Sequence, residues 1–113
     1  MTLIYKISPR AAWRAAEDAG VYTGAPVDLA DGFIHFSAAD QVRATAQKHF
    51  AGQSDLVLAA IDAEALGDAL RWEPSRGGAL FPHLYGDLPM SAVVSCVALP
   101  LGGDGSHVFP EGL

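Results

Sequence analysis

A single domain that mixes strands with helices is what this sequence predicts, and three stretches carry the prediction. "DLVLAAID" (55–62) is almost continuously apolar over the length of a strand, which suits a central strand covered on both faces. "SPRAAWRAAEDAG" (8–20) surrounds an alanine-rich body with helix start and stop signals. "AVVSCVALPL" (92–101) is a second long apolar strand. With 113 residues, half of them hydrophobic and 18% charged, the chain can bury a core without disulfides and is too apolar to stay disordered. Repeats and linkers are absent from the sequence, so residues 1–113 read as one domain, with a loosely held tail from about 102.

The elements follow in order. "LIYKI" is a first strand. In the helix after it, Ser8 suits the N-cap, Pro9 the first helical position and Gly20 the close, with Trp13, Ala16 and Ala12 on the apolar side. "VYTGAPVDLADG" is rich in turn formers and reads as an irregular loop. It launches the strand "GFIHFS", whose period of two sends Ile34 and Phe36 one way and Phe33, His35 and Ser37 the other. Ser37 and Asp40 have the spacing of a capping box, so a helix is expected from Ser37 to Gly52, with Val42, Ala46, His49 and Phe50 on its inner side. That would put His35 and Ser37 at a helix start, where free N–H groups favour an anion. "AEALGDA" is a helical turn and "LRWEPS" a short strand ended by Pro74. "SRGGALFPHLYGDLPMS" reads as a loop; extended from Ala79 to Tyr85, it would bring Phe81, His83 and Tyr85 to one face.

Charge narrows the partners. The net charge is −6, and the seven Lys and Arg form no basic stripe, which argues against general nucleic-acid binding while leaving room for a pocket that grips one phosphate. Cys96 stands alone in an apolar run and reads as a buried, inert thiol. "MTLIYKISPR" lacks the apolar stretch of a signal peptide and no run approaches membrane-spanning length, so a cytoplasmic protein without a membrane anchor is expected. The four histidines show no metal-ligand spacing, and a metal site is not expected.

An imidazole leaving water must find a polar partner, so a histidine amid aromatics asks for a reason. Two segments have one: Phe33/His35/Ser37 and Phe81/His83/Tyr85. Lining one cleft, with Glu73 and Arg76 nearby in sequence, they would stack a ring on Phe81 and Tyr85, hold a phosphate with Arg76 and Ser37, and move protons through His35 or His83. The plainer reading makes each histidine structural and bonded to backbone. "HFSA" also matches half of the His-x-Ser/Thr-x signature of two-histidine phosphoesterases, but "HLYG" offers a phenol where the second hydroxyl belongs.

The series "IYKI", "GVYTG", "DGFIHFS", "HFAG", "LVLAAID", "LRWEPSRGG" and "LFPHLYG" resembles the bacterial and plant family known as domain of unknown function 952, from about Ile4 to Leu101. That family brings no established activity with it. In element order the chain is also similar to the ADP-ribosyltransferase superfamily, in particular the RNA 2′-phosphotransferases: "FIHFS" resembles their "VHLS" segment and "LVLAAID" the strand after it. This resemblance implies an α+β, ADP-ribosyltransferase-like fold of two small, mostly antiparallel sheets around a cleft. It further implies a nucleotide-like small-molecule ligand and NAD as the cofactor of the relatives. Where those enzymes carry His-Gly-Thr, this chain reads Lys6-Ile7-Ser8. Either a nucleotide- or phosphate-related transferase or hydrolase, or a non-catalytic module for a nucleotide-like ligand or a protein, fits these features.

Overall fold

The computed structural model describes residues 1–75 and 77–113 and is α+β. Its largest sheet has the order β1-β4-β8, formed by Leu3–Pro9, Leu56–Asp62 and Val93–Leu99, all antiparallel. The apolar run of β4 is explained by its place: strands flank it on both sides, and Leu56 through Ile61 are all buried. A second sheet has the order β3-β6-β5, from Ile34–His35, Ala79–Leu84 and Leu70–Ser75, again antiparallel. A two-residue ladder joins β2 (Val21–Tyr22) to β7 (Leu88–Pro89). The sheets are tied where Tyr5 and Ser37 exchange backbone hydrogen bonds of 2.8 and 2.9 Å, so the chain leaving β3 docks onto β1 within two residues.

Helix α1 (Arg10–Ala19) buries Trp13 and Ala16 against the first sheet, and Gly20 closes it at φ 82°, donating to the carbonyls of Ala16 and Glu17. It begins one residue later than Ser8 and Pro9 suggest: β1 runs through Pro9, and Ser8 turns its hydroxyl to the Pro9 carbonyl instead of capping. Ala12 is exposed. The stretch expected to be an irregular loop contains β2 and a short helix, α2 (Pro26–Asp31), opened by Pro26 at its first position.

The second long helix corrects another expectation. Ser37 and Asp40 form no capping box, because α3 spans only Val42–His49. The side chain of Gln41 accepts from the Ala38 N–H in the turn before the helix, and α3 has no side-chain cap. Ser37, pinned to β1, spends its hydroxyl on Thr45 Oγ1 at 2.8 Å. The anion-binding helix start expected beside His35 is therefore not formed there. His49 sits exposed on the last turn, not on the inner side.

Pro74 does not end its strand: β5 continues to Ser75 and is an edge, where a missing N–H costs little. The glycine-rich segment after it is not a loop, since Ala79–Leu84 forms β6, the middle strand of its sheet. Pro82 is tolerated there because its carbonyl takes the Phe36 N–H just past the end of β3, where the ladder has stopped. Cys96 is exposed, on β8 at the edge of the large sheet, not buried. The segment after Gly102 lies back over α3, with Arg43 donating to the Leu113 carbonyl and stacking on Phe109, and His107 meeting the Gln53 carbonyl. Among the described residues no helix is long and apolar enough to cross a membrane.

Candidate functional site

Register decides what the second sheet presents. His35 lies opposite His83, His83 opposite Arg71, and Phe81 opposite Glu73, so these side chains and those two residues away along each strand share one face. Phe33 stacks on His83 with ring centroids 4.2 Å apart, and Tyr85 lies 5.2 Å from Phe33. The two imidazoles meet edge to face at 5.5 Å. The other face carries Ile34, Phe36 and Leu84 into the core shared with α1 and the large sheet.

A cleft of about 570 Å³ opens between this face, β1, α2 and α3, and His35, His83, Phe81, Ser37 and Lys6 line it. Glu73 and Tyr85 stand outside its lining, behind His83. Arg76 lies outside the described residues. The structure thus brings His35, His83, Phe81 and Ser37 to one cavity and sets Glu73 and Tyr85 as a second layer.

The two histidines are held differently. His83 is 5% exposed, and its Nδ1 meets Glu73 Oε1 at 2.9 Å. The same carboxylate oxygen accepts from the Tyr85 hydroxyl at 2.7 Å. These two bonds, the phenol's first, hold the Glu73 carboxyl below its ordinary range, and the bond to Glu73, with desolvation second, pushes the Tyr85 hydroxyl up. With Nδ1 donating to a carboxylate, the ring keeps Nε2 as an acceptor, and nothing among the described residues is bonded to it. His35 has no such freedom: Nδ1 meets Asp28 Oδ1 at 2.7 Å and Nε2 meets Asp31 Oδ2 at 3.0 Å.

Asp28, which sequence reasoning passed over, is the centre of the buried polar network. It is 1% exposed and also accepts from Lys6 Nζ at 3.1 Å and from the backbone N–H groups of Ala25 and His35 at 2.7 and 3.1 Å. Burial pushes its carboxyl up, but Lys6 and these hydrogen bonds outweigh burial and hold it below the carboxylate range. Lys6 Nζ completes its shell with the His35 carbonyl at 2.9 Å. The neighbouring Tyr22 hydroxyl is pushed up to about 12, by burial first and by the Asp28 charge second. An Asp in a turn-rich stretch gives no sequence signal of this; the lysine in the middle of the apolar strand β1 was the one available hint.

The hydroxyls that the two-histidine phosphoesterase pattern points to are bonded elsewhere, that of Ser37 to Thr45 and that of Tyr85 to Glu73. The residues standing where the superfamily carries His-Gly-Thr do not fit NAD either. Lys6 is engaged by Asp28, Ile7 packs in the core beside Val42 and Leu58, and Ser8 is 1% exposed with its hydroxyl turned to Pro9. Among the described residues no group of three or more His, Cys, Asp or Glu is arranged to hold a metal ion.

Solved structures of the protein CC0527 from Caulobacter crescentus are similar to this chain throughout. An X-ray structure is 55% identical over 95% of this chain and 94% of that one, with a TM-score of 0.91. A solution NMR structure is 57% identical over 94% and 91%, with a TM-score of 0.84. Among curated proteins nothing matches. With the residues from Ile7 to Cys96 matching its pattern, the chain belongs to the family described as protein of unknown function, DUF952.

Proposed function

We propose that the cleft is an acid–base site for a small nucleotide- or phosphate-bearing molecule, with His83 as the group that accepts a proton and Glu73 as the carboxylate that orients it. The observation that carries this is the Glu73–His83 pair: a carboxylate on Nδ1 at 2.9 Å, and Nε2 without a partner among the described residues on a ring that lines a cleft large enough for such a ligand. A carboxylate in that position fixes the tautomer and stabilises the imidazolium that proton uptake creates. His35, with both nitrogens engaged, is a positioning residue that shapes the same wall beside His83. Phe81 offers apolar surface to a planar ring, and Lys48 on the cleft lining supplies a cation for an anionic group. A transferase or hydrolase follows from this arrangement, with water or a substrate hydroxyl as the group that His83 deprotonates.

The ADP-ribosyltransferase-like reading of the fold has the same standing: two antiparallel sheets beside one cleft support it, while the engaged Lys6 and Ser8 argue for a ligand held otherwise than NAD is in that superfamily. A histidine-resolved NMR titration tests the proposal, with ADP-ribose, 2′-phosphorylated nucleotides and NAD added in turn. The His83 ring signals are expected to move with ADP-ribose or a 2′-phosphorylated nucleotide, and the ligand-induced shifts of the neighbouring backbone amides to weaken in His83→Ala with the spectrum otherwise retained. Ligand shifts confined to residues away from His35 and His83, or absent with every ligand, would overturn it. Binding that moves His83 without turnover of any ligand would leave the non-catalytic module as the function.

A further inference from the structure

The outer edge of β8 is the least defended surface of the molecule. A strand edge displays unpaired N–H and C=O groups and invites another strand, so natural edges are blunted by charge, proline or a covering segment. Two other edges here are treated so. β5 carries Arg71, Glu73 and Pro74, and β1 is covered where Tyr5 bonds Ser37. β8 carries no charged residue and no proline, and its one irregularity is a register shift against β4 between Ala60 and Ile61, which leaves Val94 as an extra residue near the start of the strand. It bonds β4 on one side, and among the described residues no strand occupies the other. Val94, Ser95, Cys96, Val97 and Ala98 are all exposed, with Val94 at 49% and Val97 at 43%.

Charge says what can meet it. The chain carries −6 overall, so most approaches of two copies set like charges against each other. Between Asp87 and Asp104 there is no charged residue at all. The strand also matches itself when reversed. About Cys96, an antiparallel copy sets Val94 against Ala98, Ser95 against Val97 and Cys96 against Cys96, each a pairing of small or β-branched side chains. We infer that the chain forms a two-fold symmetric homodimer by antiparallel pairing of β8 with β8 of a second copy, joining the two large sheets into one continuous sheet. Such an interface is isologous and closes on itself, so it ends at two copies and does not run on into a fibre. The cleft lies between the small sheet, β1, α2 and α3, so pairing at β8 leaves it open.

Sedimentation at about 0.1 mM, where a micromolar dimer is saturated, tests this directly. The expected mass is twice the 11.8 kDa of one chain. Val97→Lys, at an exposed position, should keep the circular dichroism of the wild type and weaken the dimer about tenfold or more, since two lysines are brought to one interface. Opposed residues on antiparallel strands lie about 4.5–5.5 Å apart at Cα, within disulfide reach, so mild oxidation should link Cys96 to Cys96 in a reducible dimer. Cys96→Ser should lose the link and keep the mass. A wild-type mass of one chain overturns the inference. So does a dimer that neither Val97→Lys weakens nor Cys96 cross-links, because it would use another face.

Discussion

A carboxylate removed from water keeps its charge only if neighbouring groups replace the lost hydration. Asp28 meets that condition with Lys6, His35 and two backbone N–H groups, and its carboxyl is held below the ordinary range despite burial. The sign of the pH dependence follows. A carboxyl whose folded pKa is depressed contributes stability that is fully present above its unfolded value of about 3.9 and is lost as pH falls through the folded value. Asp28→Asn removes one partner of a buried ion pair and strands the Lys6 charge, which should cost about 3–5 kcal/mol at neutral pH. Urea unfolding would show a smaller loss in acid, where the wild type has surrendered the same interaction. Adding Lys6→Met should recover part of the loss, because a buried pair replaced by apolar groups is often neutral. A single-variant loss under about 1 kcal/mol, a value typical of exposed pairs, would mean that the network does not hold the fold.

At the scale of elements, backbone conformation gives the sharpest expectation. Gly20 ends α1 at φ 82°, and a Cβ built there meets nothing within 4 Å. The cost of Gly20→Ala is therefore conformational alone, about 1–2 kcal/mol, read as a fall in thermal midpoint with unchanged helix content. That cap was legible in the sequence, as was β4, because glycine after an alanine-rich body and an unbroken apolar run each have one physical use. Other elements were not legible, for reasons that can be named. The Ser37 cap failed because β1, distant in sequence, captures the Ser37 backbone, and the helix begins only at Val42. The run 92–101 suggested a buried thiol, and Cys96 is instead exposed because β8 is an edge strand. In the cleft, pairing of His35 with His83 could be anticipated from matching aromatic surroundings. Their different roles could not, because Asp28 and Asp31 reach His35 through α2 and Glu73 reaches His83 through β5.

At the scale of the whole molecule, the question is whether the two sheets open together or apart. The radius of gyration, 13.3 Å, matches the scaling of a compact chain of this length, about 2.2·N^0.38 Å. Compactness alone does not make a chain cooperative; a shared core does. Ile34, Phe36 and Leu84 from the small sheet pack in one cluster with Ile4, Val57, Ala59 and Ile61 from the large one, around Trp13 and Leu88. The Tyr5–Ser37 bonds and the Lys6 bond to the His35 carbonyl add polar ties at the same seam. Separating the sheets would expose that cluster and leave a buried lysine and aspartate unpaired, so an intermediate with one sheet open pays for both. Native-state hydrogen exchange should accordingly give the amides of Leu58 and Ala59 in β4 and those of His83 and Leu84 in β6 the same opening free energy, equal to global unfolding. Exchange of the β6 amides at a clearly lower free energy would instead make the small sheet a separate unit. The cleft wall that carries His83 would then be able to open while the large sheet stays folded.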